Sequence, residues 1–315
     1  MSRSARGLLA LLGTIIVGGL ILAGGRATGS PRERYLLIHT DDAGFCPAVN
    51  EGTMDALENG VVSSASILVV CPGFEEFARY ALAHPEFDYG VHLALTCESS
   101  KIRWGPLLKN QVPSLVKPDG SLWDESEEVA KYAQADDVRR ELRAQVQLAL
   151  DRGIPISHLD HHMWVMLYRP DLLQIYVDLG LEFQLPLRLH RTHAPQECGI
   201  ALQNAAQYAE LIRPIVSQGY PLIDFIETDN YDITPEMRRA YFLTKLRNVK
   251  PGVSEFVIHC SVNRPGMILP GAADRREADA RVFTSLEIQD EIRRLGIRVV
   301  SWKELMQLKR QGKID

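Results

Sequence analysis

The segment Ile38-His39-Thr40-Asp41-Asp42-Ala43-Gly44-Phe45 passes from apolar residues straight into two adjacent carboxylates and a glycine. It reads as a buried strand that delivers paired acids to a loop, the way α/β enzymes present a metal and a base. Two later segments, Gly90-Val91-His92-Leu93 and Ser157-His158-Leu159-Asp160-His161-His162, offer further ligands. Carboxylates and imidazoles together suit a borderline divalent ion, so zinc, cobalt, nickel and manganese all fit the donor types. Neighbours on an ideal strand point to opposite faces, so Asp41 and Asp42 share a site only where the strand breaks, and Gly44 permits a break. One Asp then binds the metal while the other stays free as a base. The chemistry this serves is hydrolysis of an unactivated acyl bond, with a separate acid for the departing nitrogen or oxygen. His259, at the end of a late apolar run, is the unpaired candidate.

Each piece has a plainer explanation when taken alone. Asp41-Asp42 is compatible with a helix cap and turn, and His92 with a buried, hydrogen-bonded histidine. Taken together they are three or four buried titratable groups, which require the compensation that a metal supplies.

The elements that must position these residues alternate along the chain. Strands are expected at Tyr35-Leu36-Leu37-Ile38, 61–70, 89–95, 154–158, 181–189, 222–226, 255–260 and 297–301. Helices are expected over 49–58, 74–83, 136–152, 170–179, 203–217, 234–247 and 275–295, with another starting near Trp302. Strands apolar on both faces favour a parallel sheet covered by helices. No tandem repeat or linker divides the series, so the economical fold is a single α/β domain resembling a TIM barrel. His39 to Asp42, His92, His158 to His162 and His259 all fall at or just past expected strand ends, so one barrel mouth would collect them.

Between Cys97 and Ala135 the periodicity fades into Pro106, Pro113, Pro118 and Asp119-Gly120. A segment this long without firm elements is expected to be an inserted lid or binding loop. Trp104 and Trp123 within it could either stack on a sugar face or pack the loop onto the body.

The formal charge of -5 leaves no electrostatic footprint for a nucleic-acid partner. Arg3 and Arg6, the apolar run from Leu8 to Ala23 and the small residues from Gly24 to Ser30 describe either a cleavable export signal or an N-terminal membrane anchor over 1–30. The expected domain is then 31–315, working in the cell envelope, periplasm or outside the cell. The five cysteines (Cys46, Cys71, Cys97, Cys198, Cys260) form no CxxC pair, and Cys71, Cys97 and Cys260 close apolar runs, so small buried hydrophobes are expected over a disulfide framework.

His39-Thr40-Asp41-Asp42-Ala43-Gly44, Asn50-Glu51-Gly52, the run Gly60 to Ser66, the run Gly90 to Thr96 and Ser157-His158-Leu159-Asp160 resemble the YdjC-like carbohydrate deacetylases. The similarity continues through Arg275 to Glu277 and the closing Gly296-Ile297 strand. That resemblance implies a distorted (β/α) barrel that removes an acetyl group from an N-acetylated sugar or oligosaccharide with one divalent metal ion, zinc or magnesium. By position it implies Asp41 as general base, Asp42, His92 and His158 as metal ligands and His259 as general acid.

The chain departs from the family pattern in two places. His161 stands where a small residue is usual before His162, and Met163, Trp164 and Met166 replace a histidine-rich tail. After His259, the stretch Cys260 to Arg264 intervenes before Pro265-Gly266. Metal binding is expected to survive, with an altered substrate pocket. His161 and His162 are expected to orient ligands or face substrate and Asp160 to orient a ligand histidine, while Arg188 either holds the base carboxylate or a substrate oxygen or is an ordinary exposed arginine of the barrel rim. Competing functions are hydrolysis of another amide or ester and noncatalytic glycan binding. A glycosidase rests on Glu227 and Asp229 alone.

Overall fold

The computed structural model describes residues 33–191, 205–228, 230–263 and 272–315. The expected leader, Gln203, Cys198, Asp229 and the Arg264-Pro265-Gly266 stretch lie outside the described residues. Among the described residues no helix is long and apolar enough to cross a membrane.

Seven parallel strands carry the architecture: β1 (Arg34–Ala43), β2 (Ser64–Ile67), β3 (Tyr89–Leu93), β4 (Ile156–His161), β5 (Phe225–Glu227), β6 (Gly252–Ile258) and β7 (Arg298–Val299). Their order is β4-β3-β2-β1-β6-β5, with β7 also paired to β1. β1 is central because its residues after Arg34 are all buried, as a strand covered on both faces requires. One edge of β1 takes β7 at Tyr35 and Leu36 and β2 from His39 onward, while the other takes β6 along most of its length. Between β4 and β5 the ladder gives way to isolated bridges, Leu159 to Leu187 and His190 to Ile223. The sheet therefore curves toward a barrel that single bridges, rather than a continuous ladder, draw together.

Helices α1 (Pro47–Asn59), α2 (Phe74–Ala83), α4 (Ala135–Asp151), α5 (Pro170–Phe183), α6 (Ala205–Ser217), α7 (Arg238–Arg247), α8 (Ala273–Thr284), α9 (Leu286–Leu295) and α10 (Trp302–Arg310) cover it. α2 occupies the ten residues its apolar spacing predicts. Three expectations are corrected. The strand expected over 181–189 is not one, because α5 continues to Phe183 and ends on Gln184 at φ 56, leaving only bridges. The long helix expected over 275–295 is two, since Ser285 turns extended and its hydroxyl caps α9 through the Ile288 amide. The 97–135 segment contains α3 (Ser126–Tyr132), a short charged helix with a Glu125/Glu128 capping box that apolar periodicity does not reveal.

That segment is tied down from α4. The buried Glu141 accepts the Leu107 and Leu108 amides at 2.9 and 3.0 Å, and Asp137 accepts Ser114 N at 3.0 Å. Cys46, Cys71, Cys97 and Cys260 are buried and free.

Candidate functional site

β1 runs through both acids, and its register shifts between Thr40 and Ala43, where Asp42 takes φ 71. The break thus falls on Asp42, a residue type that tolerates the left-handed region, and Gly44 at φ 87 completes the turn. The kink lets consecutive carboxylates reach one cavity. Arg276 of α8 binds Asp42 Oδ2 at 2.6 Å. Asp42 Oδ1 is buried without a hydrogen-bond partner, 3.5 Å from His92 Nε2 and 3.4 Å from His162 Nδ1. Those two nitrogens face each other at 3.2 Å.

Both rings are fixed from behind. His92 Nδ1 donates to Asp160 Oδ1 at 2.8 Å, and His162 Nε2 lies 3.0 Å from both oxygens of Glu98. A carboxylate behind each imidazole is how proteins orient metal-ligating histidines. Bonds of about 2.0–2.1 Å in a tetrahedral shell separate ligand atoms by roughly 3.3–3.4 Å, close to the spacing of these three atoms. The orphaned oxygen, the two oriented nitrogens and their spacing fit a divalent ion. Burial pushes the Asp42 carboxyl up, but Arg276 and His162 outweigh it and hold the group well below the usual carboxylate range.

Asp41 stands beside this trio without joining it. Arg188 grips it with two nitrogens, at 2.8 Å on Oδ1 and 3.1 Å on Oδ2, and also reaches Asp160 Oδ2 at 3.0 Å and Glu255 Oε1 at 3.0 Å. Burial raises the Asp41 carboxyl, yet Arg188 first and then the histidines keep it well below its ordinary range. His259, just past β6, places Nε2 4.0 Å from Asp42 Oδ2 and 3.2 Å from the Tyr231 hydroxyl. Burial and the Arg276 charge push His259 down to about 3.

The structure does not bring His158 into this set. It lies in mid-strand on β4, fully buried, with its ring stacked on Trp302 at 5.1 Å and Nδ1 2.9 Å from Ser157 Oγ. His162, four residues later and past the strand end, groups with Asp42 and His92 instead. His39, His158 and Asp160 form another cluster of ligand atoms, but the Arg188 guanidinium against Asp160 already supplies the cation there. His161 is buried edge-on to Trp164 and Tyr176, and it lines the cavity with Arg188.

Neither loop tryptophan reaches the cavity lining. Trp104 Nε1 donates to Thr96 O, and Trp123 Nε1 donates to Ser114 O while its ring stacks on Tyr132, so both pack the segment. Glu227 is bound by Tyr241 and Lys245 of α7 and is also absent from the lining, which removes the glycosidase reading's described acid. Sequence reasoning missed Glu98, Tyr231 and the role of Arg276. Glu98 follows the Gly90 to Thr96 run by two residues, and that adjacency was the available signal.

The cavity holds about 850 Å³, within the range of small-molecule sites. Asp41, Asp42, His92, His162 and His259 lie on its wall, with Phe45, Met163, Trp164, Tyr168 and Tyr231 supplying apolar and aromatic surface.

A family model described as YdjC-like protein matches residues 35–294. A carbohydrate deacetylase of Geobacillus stearothermophilus is 35% identical over 162 residues, covering 51% of this chain and 62% of that protein. A carbohydrate deacetylase of Thermus thermophilus is 31% identical over 262 residues, covering 82% of this chain and 89% of that protein. Among solved structures, a candidate cellobiose-phosphate cleavage protein of Enterococcus faecalis V583 superposes with a TM-score of 0.69 at 26% identity, covering 87% of this chain and 99% of that one. The family pattern thus extends from β1 into α9 and takes in every strand that bears a cavity acid or histidine: the chain belongs to the YdjC-like protein family.

Proposed function

We propose that the chain is a metal-dependent hydrolase that removes acetyl groups from N-acetylated sugars or short glycans. The convergence of Asp42 Oδ1, His92 Nε2 and His162 Nδ1 beside the separately held Asp41 carries this reading. Relatives described as carbohydrate deacetylases support the substrate class. Two imidazoles and one carboxylate favour a borderline ion such as zinc over magnesium, which prefers oxygen donors.

When bound by Asp42, His92 and His162, the metal supplies Lewis acidity toward the acetyl carbonyl and lowers the pKa of water. Arg276 occupies Asp42 Oδ2 and so leaves one oxygen of that carboxylate for the ion. Asp41 is the base. Its Oδ1 is held by Arg188 and approached by Ser66 Oγ at 3.5 Å, so Oδ2, with a single arginine donor, is the oxygen free to take a proton. His259 is the acid for the departing nitrogen, with the Tyr231 hydroxyl fixing its Nε2. In the free protein burial keeps this ring neutral, so it acquires its proton only as negative charge develops beside it. Trp164 and Tyr168 offer apolar faces for a pyranose ring. The basic start, apolar run and small residues of 1–30 support an exported, envelope-associated setting.

The test is acetate release by the zinc-loaded full chain from a panel of N-acetylated mono- and oligosaccharides, with Asp41→Asn as control. Release that falls at least a hundredfold in the variant supports the assignment. No release from any sugar by protein holding one equivalent of zinc overturns the substrate class.

A further inference from the structure

Among the buried groups that the proposed chemistry leaves unused, one touches the base. His39, on β1, is fully buried two residues before Asp41. Its Nε2 lies 3.2 Å from Asp41 Oδ1 and 3.1 Å from Asp160 Oδ2. Asp160 uses its other oxygen, Oδ1, to orient His92. The imidazole therefore stands between the carboxylate that serves as base and the one that aims a metal ligand. We propose that His39 is a positioning residue, whose Nε2, seated between Asp41 and Asp160 at ion-pair distance, holds the inner oxygen of the base in place and couples it to the carboxylate behind His92.

Charge balance argues the same way. The groups facing His39 are Asp41 on its own strand, Asp160 and His158 on β4, Arg188 after α5 and Glu255 on β6. Arg188 contacts all three carboxylates and brings one positive charge. Burial pushes the Glu255 carboxyl up, and Arg188 only partly offsets this. Three buried carboxylates share one guanidinium, and a low-dielectric interior does not tolerate the surplus of negative charge alone. A protonated His39 reduces that surplus, while its Nδ1 stays buried without a hydrogen-bond partner. Burial and Arg188 push this ring down, but contacts with Asp160 and Asp41 outweigh both and hold it at about 9.

His39 has no route to substrate, so its effect acts through Asp41. Arg188 holds both Asp41 oxygens and His39 Nε2 closes in on Oδ1 at 3.2 Å, so the carboxylate is held against rotation with Oδ2 toward the cavity. His39→Gln keeps a neutral donor, whereas His39→Leu removes donor and charge at similar bulk.

The inference rests on the proposed role of Asp41, and the test has one arm that needs no substrate. Nitrogen-15 NMR of the imidazoles in the full-length protein at pH 7.5 is expected to show His39 protonated on both nitrogens, and in Asp41→Asn to show its pKa lowered by at least one unit. A singly protonated ring in the wild type, or no change in Asp41→Asn, overturns the coupling even if no substrate has been found. The second arm is kinetic, on variants that retain one equivalent of zinc. His39→Leu is expected to lower kcat about a hundredfold with KM within twofold, and His39→Gln to recover part of that loss. Turnover of His39→Leu within twofold of wild type overturns the positioning role.

Discussion

Placing His158 in the packing rather than at the metal makes an energetic prediction that Gly90 can test. A Cβ built on Gly90 would lie 2.3 Å from His158 Nε2, 2.5 Å from Cε1 and 2.6 Å from Cδ2. Favourable contact between such atoms begins near 3.5 Å, so in Gly90→Ala the ring must retreat by about 1 Å. It has nowhere to go, because Trp302 is stacked on its face and His39 meets its edge, each at 5.1 Å between centroids. Overpacking of this kind costs about 2–3 kcal/mol. His158→Ala removes a buried ring but also relieves Nε2, which is buried without a partner, so its cost should be about 2–3 kcal/mol rather than the larger penalty of an apolar aromatic. Combined, the new methyl enters space the ring has left and the clash disappears. The double variant should then lose only about 2 kcal/mol, against roughly 5 for the two singles added, a coupling of about 3 kcal/mol. Urea denaturation of the four proteins measures it, and zinc retained after dialysis shows whether each still binds one equivalent. Strict additivity would refute the packing argument. Loss of zinc from a folded His158→Ala, with zinc kept by His162→Ala, would refute the ligand set itself.

Two further predictions follow from buried charge. Arg188→Met leaves Asp41, Asp160 and Glu255 without their shared guanidinium and should lower unfolding free energy by about 3–5 kcal/mol, read from the urea midpoint; a loss below about 1 kcal/mol would contradict the network. His190, lowered by burial and Arg188 from 6.5 to about 3, stays neutral when folded, so below pH 6.5 the unfolded chain binds a proton that the native one refuses. Its effect on stability is therefore nil above that pH and grows unfavourable as pH falls toward 3. The stability of wild type relative to His190→Phe should drop by about 3 kcal/mol between pH 7 and 4, and a pH-independent difference would count against it.

Much of the site was legible because its chemistry is local in sequence. Asp41, Asp42, His92 and His259 come to the cavity as the strand-end pattern implies. That His162 rather than His158 reaches the cavity has a simple physical source. β4 continues three residues past His158, and a strand-end argument is only as good as the boundary it assumes. Arg276 was hidden because its significance depends on α8 packing against α1, which brings it to Asp42 at the end of β1, a contact between residues 234 apart. Glu98 was hidden because its target, His162, is 64 residues away and no local period marks the pair. Ser285 reads as one more helix residue until its backbone turns extended and its hydroxyl caps α9.

The turn after β4 has a last consequence. Met163 and Trp164 both adopt φ 54, a conformation that costs a side-chain-bearing residue roughly 1–2 kcal/mol, immediately after the proposed ligand His162. The Met163 carbonyl is held by the Ser126 hydroxyl of α3 at 2.8 Å, and the Tyr168 hydroxyl reaches Glu127 of the same helix at 3.2 Å. Docking of α3 thus helps confine a turn that would otherwise relax, and with it the direction of the His162 ring. On the proposed ligand set, binding at His162 and docking of α3 would be reciprocally linked equilibria: lifting the helix would weaken the hold on the ion, and the ion would keep the helix seated.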